Sequence, residues 1–342
     1  MKGIKNIISI MLITLLLFTT FGCGKSEGDS PEEEADEGIK IGMCFDSFVI
    51  ERWITDRDVF VSTAEAQGAS VIVQSANADV ETQVQQIQYL IDEKVDVIVV
   101  IPIDVSALSD ILVKAKEEGI KVISYDRLCQ NSDVDLYISF DNRRVGYLMA
   151  DAIVSELPEG GNIYMIAGPE TDNNADSVVE GFEERINGTN LKVTYKTRLD
   201  SWDASLGYTA IGDALQKNPD VDAIMCGNDD IATQVFIALS ENRLAGEVLL
   251  TGQDSDLAAC QRIVKGTQLM TVFKSFEKEA ETAAEYAIKL AKGEDVSSDT
   301  INDGIYDVPY IELAPQAVTI DNIDEVIINS GTRTHDEVYM DN

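Results

Sequence analysis

Four short apolar runs end on residues suited to grip a ligand that carries several hydroxyls. Ile120-Lys121-Val122-Ile123-Ser124-Tyr125 leads into Asp126-Arg127, Ile138-Ser139-Phe140 into Asp141-Asn142, Ala223-Ile224-Met225-Cys226-Gly227 into Asn228-Asp229, and Val248-Leu249-Leu250-Thr251-Gly252-Gln253 into Asp254. A desolvated hydroxyl must both donate and accept, so a carboxylate beside a guanidinium fork, as in Asp126-Arg127, satisfies adjacent hydroxyls. Glu51-Arg52-Trp53 adds a second fork beside an indole whose face suits the C–H face of a pyranose. Trp202, the only other tryptophan, falls in a loop of the second half, so two indoles could sandwich one ring. Asp172-Asn173-Asn174 and Lys274 complete the set. Plainer roles compete: Asp172, Asn174 and Asn228 could cap helices, Trp53 could fill a core, and Asp126 with Arg127 could be an exposed ion pair.

The same inventory is poor in catalytic signatures. The lone histidine, His335, lies in a polar tail, and Gly22-Cys23-Gly24-Lys25-Ser26 lacks the upstream glycine and the strand of a phosphate-binding loop. Asp126 and Asp254 could imitate a glycosidase pair, but the acid of such a pair needs a raised pKa, which Arg52, Arg127 and Lys274 would oppose. Cys44, Cys129, Cys226 and Cys260 are too widely spaced for a metal motif, and Cys44 and Cys226 sit in apolar runs as small buried residues. No enzyme activity, metal or cofactor is expected.

These groups need elements that bring strand ends together. Strand-like runs at Ile39–Phe45, Ala69–Gln74, Val97–Ile101, Val122–Tyr125 and Tyr137–Phe140 interleave with amphipathic stretches at Arg52–Ala66, Glu81–Asp92 and Leu108–Glu118. The rhythm restarts with strands at Asn162–Ile166, Lys192–Tyr195, Ala223–Cys226, Val248–Thr251 and Met270–Phe273, between helices near Val178–Ile186, Ala204–Gln216, Ala232–Glu241 and Leu257–Val264. Nearly continuous apolar strands with one-faced helices predict parallel sheets covered on both sides. The expected fold is α/β, with two similar doubly wound lobes joined by a multi-stranded hinge. One lobe is expected over 39–140 plus about 275–305, the other over 141–274 plus about 306–331, with a polar tail over 332–342. Ligands of such sheets bind beyond the carboxyl ends of the strands, where the polar groups above are placed.

Composition and the first residues bear on partners and location. The chain has 342 residues, 45% of them hydrophobic, which is enough for two domains with real cores. Its 61 Asp+Glu against 26 Lys+Arg give a formal net charge of −35, a field that repels phosphate backbones and excludes nucleic acid as a partner. Met1-Lys2-Gly3-Ile4-Lys5 is a basic start, Ile7–Phe18 is apolar, and Gly22-Cys23 follows, which has the proportions of a signal peptide over 1–22. The small residue before Cys23 resembles the processing site of bacterial lipoproteins, although Thr20 and Phe21 depart from it. The expectation is therefore a lipid-anchored cysteine outside the cytoplasm, with plain secretion as the alternative. Residues 23–38, with Glu32-Glu33-Glu34, read as an acidic tether.

From about Ile39 to about Gly331 the chain resembles the D-xylose-binding proteins of bacterial ABC transporters, within the type I periplasmic sugar-binding proteins. The resemblance is carried by Glu51-Arg52-Trp53 with Asp56-Arg57-Asp58, Gln74-Ser75-Ala76-Asn77, Tyr125-Asp126-Arg127, Tyr137-Ile138-Ser139-Phe140-Asp141-Asn142, Asp172-Asn173-Asn174, Gly252-Gln253-Asp254 and Gly266-Thr267-Gln268. It implies sugar contacts from Arg52, Asp126, Arg127, Asp172, Asn174, Asn228, Asp254 and Lys274, with Trp53 and Trp202 stacking. It further implies a monomer that binds a monosaccharide, D-xylose foremost, and delivers it to an ABC permease. The alternative partner is a membrane histidine kinase or chemoreceptor. Cys226-Gly227 and Phe273 stand where the family pattern suggests small residues and tyrosine. Sugar-responsive repressors share this two-lobed core, but no helix-turn-helix precedes the first lobe here.

Overall fold

In the computed structural model, which describes residues 38–50 and 52–340, strands and helices alternate through two lobes. The signal segment, Cys23, the tether up to residue 37 and Glu51 lie outside the described residues. In the first lobe β1 (Lys40–Phe45), β2 (Ser70–Ser75), β3 (Val97–Val100), β4 (Lys121–Tyr125) and β5 (Leu136–Phe140) interleave with α1 (Arg52–Ala66), α2 (Val80–Asp92) and α3 (Ser109–Glu117). In the second lobe α4 (Asn142–Glu156) leads into β6 (Gly161–Ala167), α5 (Asn173–Ile186), β7 (Leu191–Arg198), α6 (Ser205–Lys217), β8 (Ala223–Cys226), α7 (Asp229–Glu241), β9 (Leu249–Thr251), α8 (Leu257–Val264) and β10 (Thr271–Phe273). The chain then runs through α9 (Phe276–Ala291), β11 (Thr300–Asn302), β12 (Asp307–Leu313), β13 (Gln316–Val318), a π-helical turn at Asp324–Ile328 and α10 (His335–Tyr339).

Alternation along the strands sets the layers of the first lobe. Ile41, Met43, Phe45, Val97, Val99 and Ile123 pack with Trp53 and Phe60 of α1 and with the alanines of α9. Cys44, Ile98, Val100 and Val122 pack on the other face against Ile87 and Leu90 of α2 and Leu112 of α3. Both faces are apolar because both are covered by helices, so the strands show no polar alternation. The sheet order is β11-β12-β5-β4-β3-β1-β2, parallel except for β11. The second lobe orders its parallel strands β7-β6-β8-β9, with a bridge from Thr251 to Met270 leading to β10 and its antiparallel partner β13. Cys44, Cys129, Cys226 and Cys260 are all buried and form no disulfide.

Three crossings join the lobes, at 140–142, 273–276 and 313–316, and the first and third are tied by Asp141 N–H donating to the Leu313 carbonyl at 3.0 Å. This corrects the expected boundary. The sequence pattern places the stretch from about 306 in the second lobe, but β12 pairs with β5 in the first, and only β13 onward belongs to the second. A strand alone carries no address in its sequence; the free edge of β5 supplies it. The tail also differs from expectation, because Val338 of α10 is fully buried with Cys260 and Ile263 of α8.

Helix α4 was not anticipated from the sequence, and its glycine explains why. Gly146 lowers helix propensity, yet a Cβ there would lie 1.8 Å from the Val178 carbonyl oxygen of α5. A Cβ on Gly181 of α5 would likewise lie 1.8 Å from the Arg143 carbonyl oxygen, so the two helices touch backbone to backbone through reciprocal glycines. Gly146→Ala should therefore lower stability by at least about 1–3 kcal/mol. Gly212→Ala in α6, where nothing lies within 4 Å, should be neutral or stabilising. Thermal unfolding of the two variants checks this, and equal midpoints would contradict the close contact.

Candidate functional site

All ten residues singled out in the sequence line one cleft between the lobes. Arg52 and Trp53 open α1 after β1, and Asp126 and Arg127 follow β4. From the second lobe come Asp172 and Asn174 after β6, Trp202 after β7, Asn228 after β8 and Asp254 after β9, while Lys274 stands in the crossing after β10. Each group sits just past the carboxyl end of a strand or in the first turn of the helix that follows, as the crossover geometry of parallel sheets dictates. Asp126 (φ 61°) and Asp254 (φ 96°) have left-handed backbone, a local strain that turns the chain sharply out of its strand.

Capping and lining the cleft turn out to be compatible. Asp172 accepts from Asn174 N–H at 2.9 Å as the N-cap of α5, and its other oxygen stands 2.7 Å from Arg127 Nε across the cleft. Asn228 caps α7 by accepting from Ile231 N–H at 2.9 Å. Trp202 donates Nε1–H to Asp172 at 3.1 Å, and its ring lies where a Cβ on Gly168 would be, only 2.4 Å away. The lobes are also bridged by Asn174, which donates Nδ2–H to the carbonyl and side chain of Asp126 at 2.9 and 3.2 Å. Trp53 is 1% exposed and belongs to the core, yet its ring also walls the cleft and carries the Arg52 guanidinium at 4.3 Å. One face of that indole is thus given to Arg52.

Arg52 is not a surface charge. It is 4% exposed, sits between the rings of Trp53 and Phe276, and donates to Asp126 (2.9 Å), Asp56 (2.8 Å) and Glu279 (2.6 Å). Burial would lower its pKa, but those three carboxyl groups hold it more firmly protonated than usual. Burial would likewise raise Asp126, but Arg52, Lys274 and Arg127 overcome it and hold Asp126 below the usual carboxylate range. Asp126 is therefore an ionised acceptor and cannot serve as a general acid. Asp46, which pairs with Arg127 at 2.8 Å, and Asp172 are both pushed up, because burial outweighs the attraction of Arg127.

Four buried polar atoms that line or edge this cleft make no hydrogen bond within the protein: Trp53 Nε1, Arg127 Nε, Gln253 Oε1 and Asp254 Oδ1. Arg127 Nε and Asp254 Oδ1 do lie 2.7 Å from charged partners, Asp172 and Lys274, but the contacts are charge pairs without aligned hydrogen bonds. Two donors and two acceptors left in this state are costly unless something polar meets them. The cleft is narrow, and the Arg127–Asp172 and Asn174–Asp126 contacts reach across it. A guest that takes up these groups competes with both contacts, which tie one lobe to the other.

Sequence reasoning missed Asp46 and Glu279, and named Asp56, Asn142 and Gln253 only within motifs or strand-end runs. Asp46 follows β1 directly and was legible by the strand-end rule. Glu279 left a subtler mark, an acidic residue on the stripe that Ala283, Ala287 and Leu290 bury in the first lobe. Asp229 supports the loop from below. It receives Thr271 Oγ1–H (2.6 Å), Gln268 Nε2–H (2.9 Å) and Asp256 N–H (3.2 Å), while its own N–H donates to the Gln253 carbonyl at 2.9 Å. Burial raises its pKa to about 7, against the pull of Thr271 and Arg262.

Residues 41–295 match the model of a family described as "Periplasmic binding protein domain". Over 307 residues the chain is 43% identical to a D-xylose-binding periplasmic protein of Haemophilus influenzae, covering 88% of this chain and 92% of that one. It is 40% identical to the protein of the same description from Escherichia coli K12, covering 98% and 99%. An ABC transporter solute-binding protein from Clostridium phytofermentans, crystallised with β-D-glucose, superposes with a TM-score of 0.80 at 28% identity, covering 87% of this chain and 99% of that one. Among the described residues no helix is long and apolar enough to cross a membrane.

Arg52→Ala would leave Asp56, Asp126 and Glu279 buried without their shared cation. The expected loss of folding stability is about 3–5 kcal/mol, read from urea unfolding. A loss below about 1 kcal/mol, the range of an exposed pair, would contradict the buried arrangement.

Proposed function

The chain belongs to the periplasmic binding protein family, and on that premise we propose that its cleft captures a monosaccharide, D-xylose, outside the cytoplasm and presents it to an ABC permease. The observation that carries this reading is the set of donors and acceptors in the cleft that lack an aligned hydrogen bond, flanked by two indoles and an ionised Asp126. A neutral polyol meets donors and acceptors alike and adds no charge to a site already rich in carboxylates. The names of the Haemophilus and Escherichia relatives support xylose, and the description of the Clostridium protein supports an ABC transporter over a membrane sensor. The protein is not an enzyme, so transport energy comes from a separate ATPase.

Binding proceeds through the three crossings. A sugar in the cleft replaces direct contacts between the lobes with contacts through its own hydroxyls, and the closed form is favoured by that difference in affinity. Arg52, Trp53, Asp126 and Arg127 serve from the first lobe, and Asp172, Asn174, Trp202, Asn228, Asp254 and Lys274 from the second lobe and the crossing. The receptor acts as a monomer, held at the membrane by a lipid on Cys23.

Calorimetric titration of the chain from residue 24 onward with xylose, ribose, arabinose, glucose and galactose is expected to give tight binding for xylose. Tight binding of another pentose or hexose alone would overturn the specificity, and heat from none of the five would overturn the sugar reading. Cys23→Ala should move the full chain from the membrane to the soluble fraction, and retention of that variant at the membrane would contradict the anchor.

A further inference from the structure

Arg52 faces an imbalance that no sugar can repair. One guanidinium serves three buried carboxyl groups from three elements: Asp56 of α1, Asp126 beyond β4 and Glu279 in the first turn of α9. The three are not equally provided for. Asp56 receives Arg52 on both oxygens and the Tyr125 hydroxyl on one of them. Asp126 receives Arg52 on one oxygen and Asn174 on the other. Glu279 receives Arg52 on Oε2 at 2.6 Å, sharing the nitrogen that also serves Asp56, and its Oε1 receives nothing. Glu279 is fully buried, out of reach of bulk solvent. A bare carboxylate oxygen in that position is far more costly than a neutral hydroxyl.

We propose that Glu279 is a positioning residue that carries a proton: Oε2 fixes the Arg52 guanidinium, and Oε1 holds the hydrogen that keeps the cluster from carrying a third negative charge. The inference rests on the sugar-binding reading of the cleft and assigns Glu279 no contact with the sugar. The remaining groups that face it are Tyr125 on β4, Tyr310 on β12 and Lys274 in the crossing. Burial drives Glu279 well above the usual range, Asp126 and Asp56 push it further, and Arg52 and Lys274 only partly oppose this. The N-terminal end of α9 favours an anion in principle, but none of its N–H groups reaches Oε1.

The sign of the consequence follows from linkage. A carboxyl whose folded pKa is raised keeps a proton that the unfolded chain releases, so stability falls as pH rises from the ordinary glutamate value, about 4.3, toward the folded one. When the proton finally leaves, Arg52 is pulled toward Glu279 and away from Asp126, and sugar affinity falls with it.

Glutamine reproduces a protonated glutamate without its titration, which makes Glu279→Gln the decisive variant. Xylose affinity of the wild type is expected to fall at least tenfold along the alkaline side of its pH profile, above the ordinary glutamate range. Over the same range Glu279→Gln should vary less than about threefold, whereas Glu279→Ala should bind at least about tenfold more weakly than Glu279→Gln at every pH. Parallel pH profiles for wild type and Glu279→Gln would overturn the proposal. Thermal unfolding without sugar separates this from failure of the sugar reading. The wild-type midpoint should drop relative to that of Glu279→Gln as pH rises, whichever sugar binds, and a constant difference would overturn the proton.

Discussion

Arg52 is bonded to carboxyl groups on α1, beyond β4 and on α9, elements that are far apart in sequence and meet only in the folded first lobe. Its guanidinium lies between Trp53 and Phe276, so it is held flat as well as bonded. The helix that supplies Glu279 and Phe276 begins just after the second crossing between the lobes. The cation thus fixes Asp126 at the cleft and at the same time ties the hinge to the core of the first lobe. A lysine could supply the charge but not the planar fork that reaches three partners at once.

Around the cleft three cations, Arg52, Arg127 and Lys274, stand among six buried carboxyl groups, Asp46, Asp56, Asp126, Asp172, Asp254 and Glu279. Such a set is a poor source of stability, because removing ions from water costs as much as pairing them returns. Its value is in geometry. Arg127 reaches Asp46 in its own lobe and Asp172 in the other, so the same fork that binds also registers the lobes. The poorly aligned pairs at Arg127 and Asp254 are the groups with most to gain from a hydroxyl.

Much of this was legible because parallel sheets place function at predictable positions. The strand-end residues Asp126, Asn228 and Asp254 could be found from the apolar runs before them, and the structure brings them into one cleft. What was not legible depended on tertiary partners. Helix α4 was hidden by Gly146, whose purpose appears only against α5, and β12 could not be placed without the edge of β5. Glu279 is one of several acids in α9, and its partner Arg52 is 227 positions away. Asp172 and Asn228 looked like a choice between capping and binding, whereas both cap helices and line the cleft.

The most direct measurement is a crystal structure of the protein grown with D-xylose. The account predicts a pyranose between the lobes, hydrogen-bonded to Asp126 and Arg127 from one lobe and to Asn228 and Asp254 from the other. Arg52 would still be bonded to Glu279, and the Arg127–Asp172 and Asn174–Asp126 contacts would be opened or shared with the sugar. A sugar bound elsewhere, or a cleft in which these side chains remain paired only with one another, would contradict it.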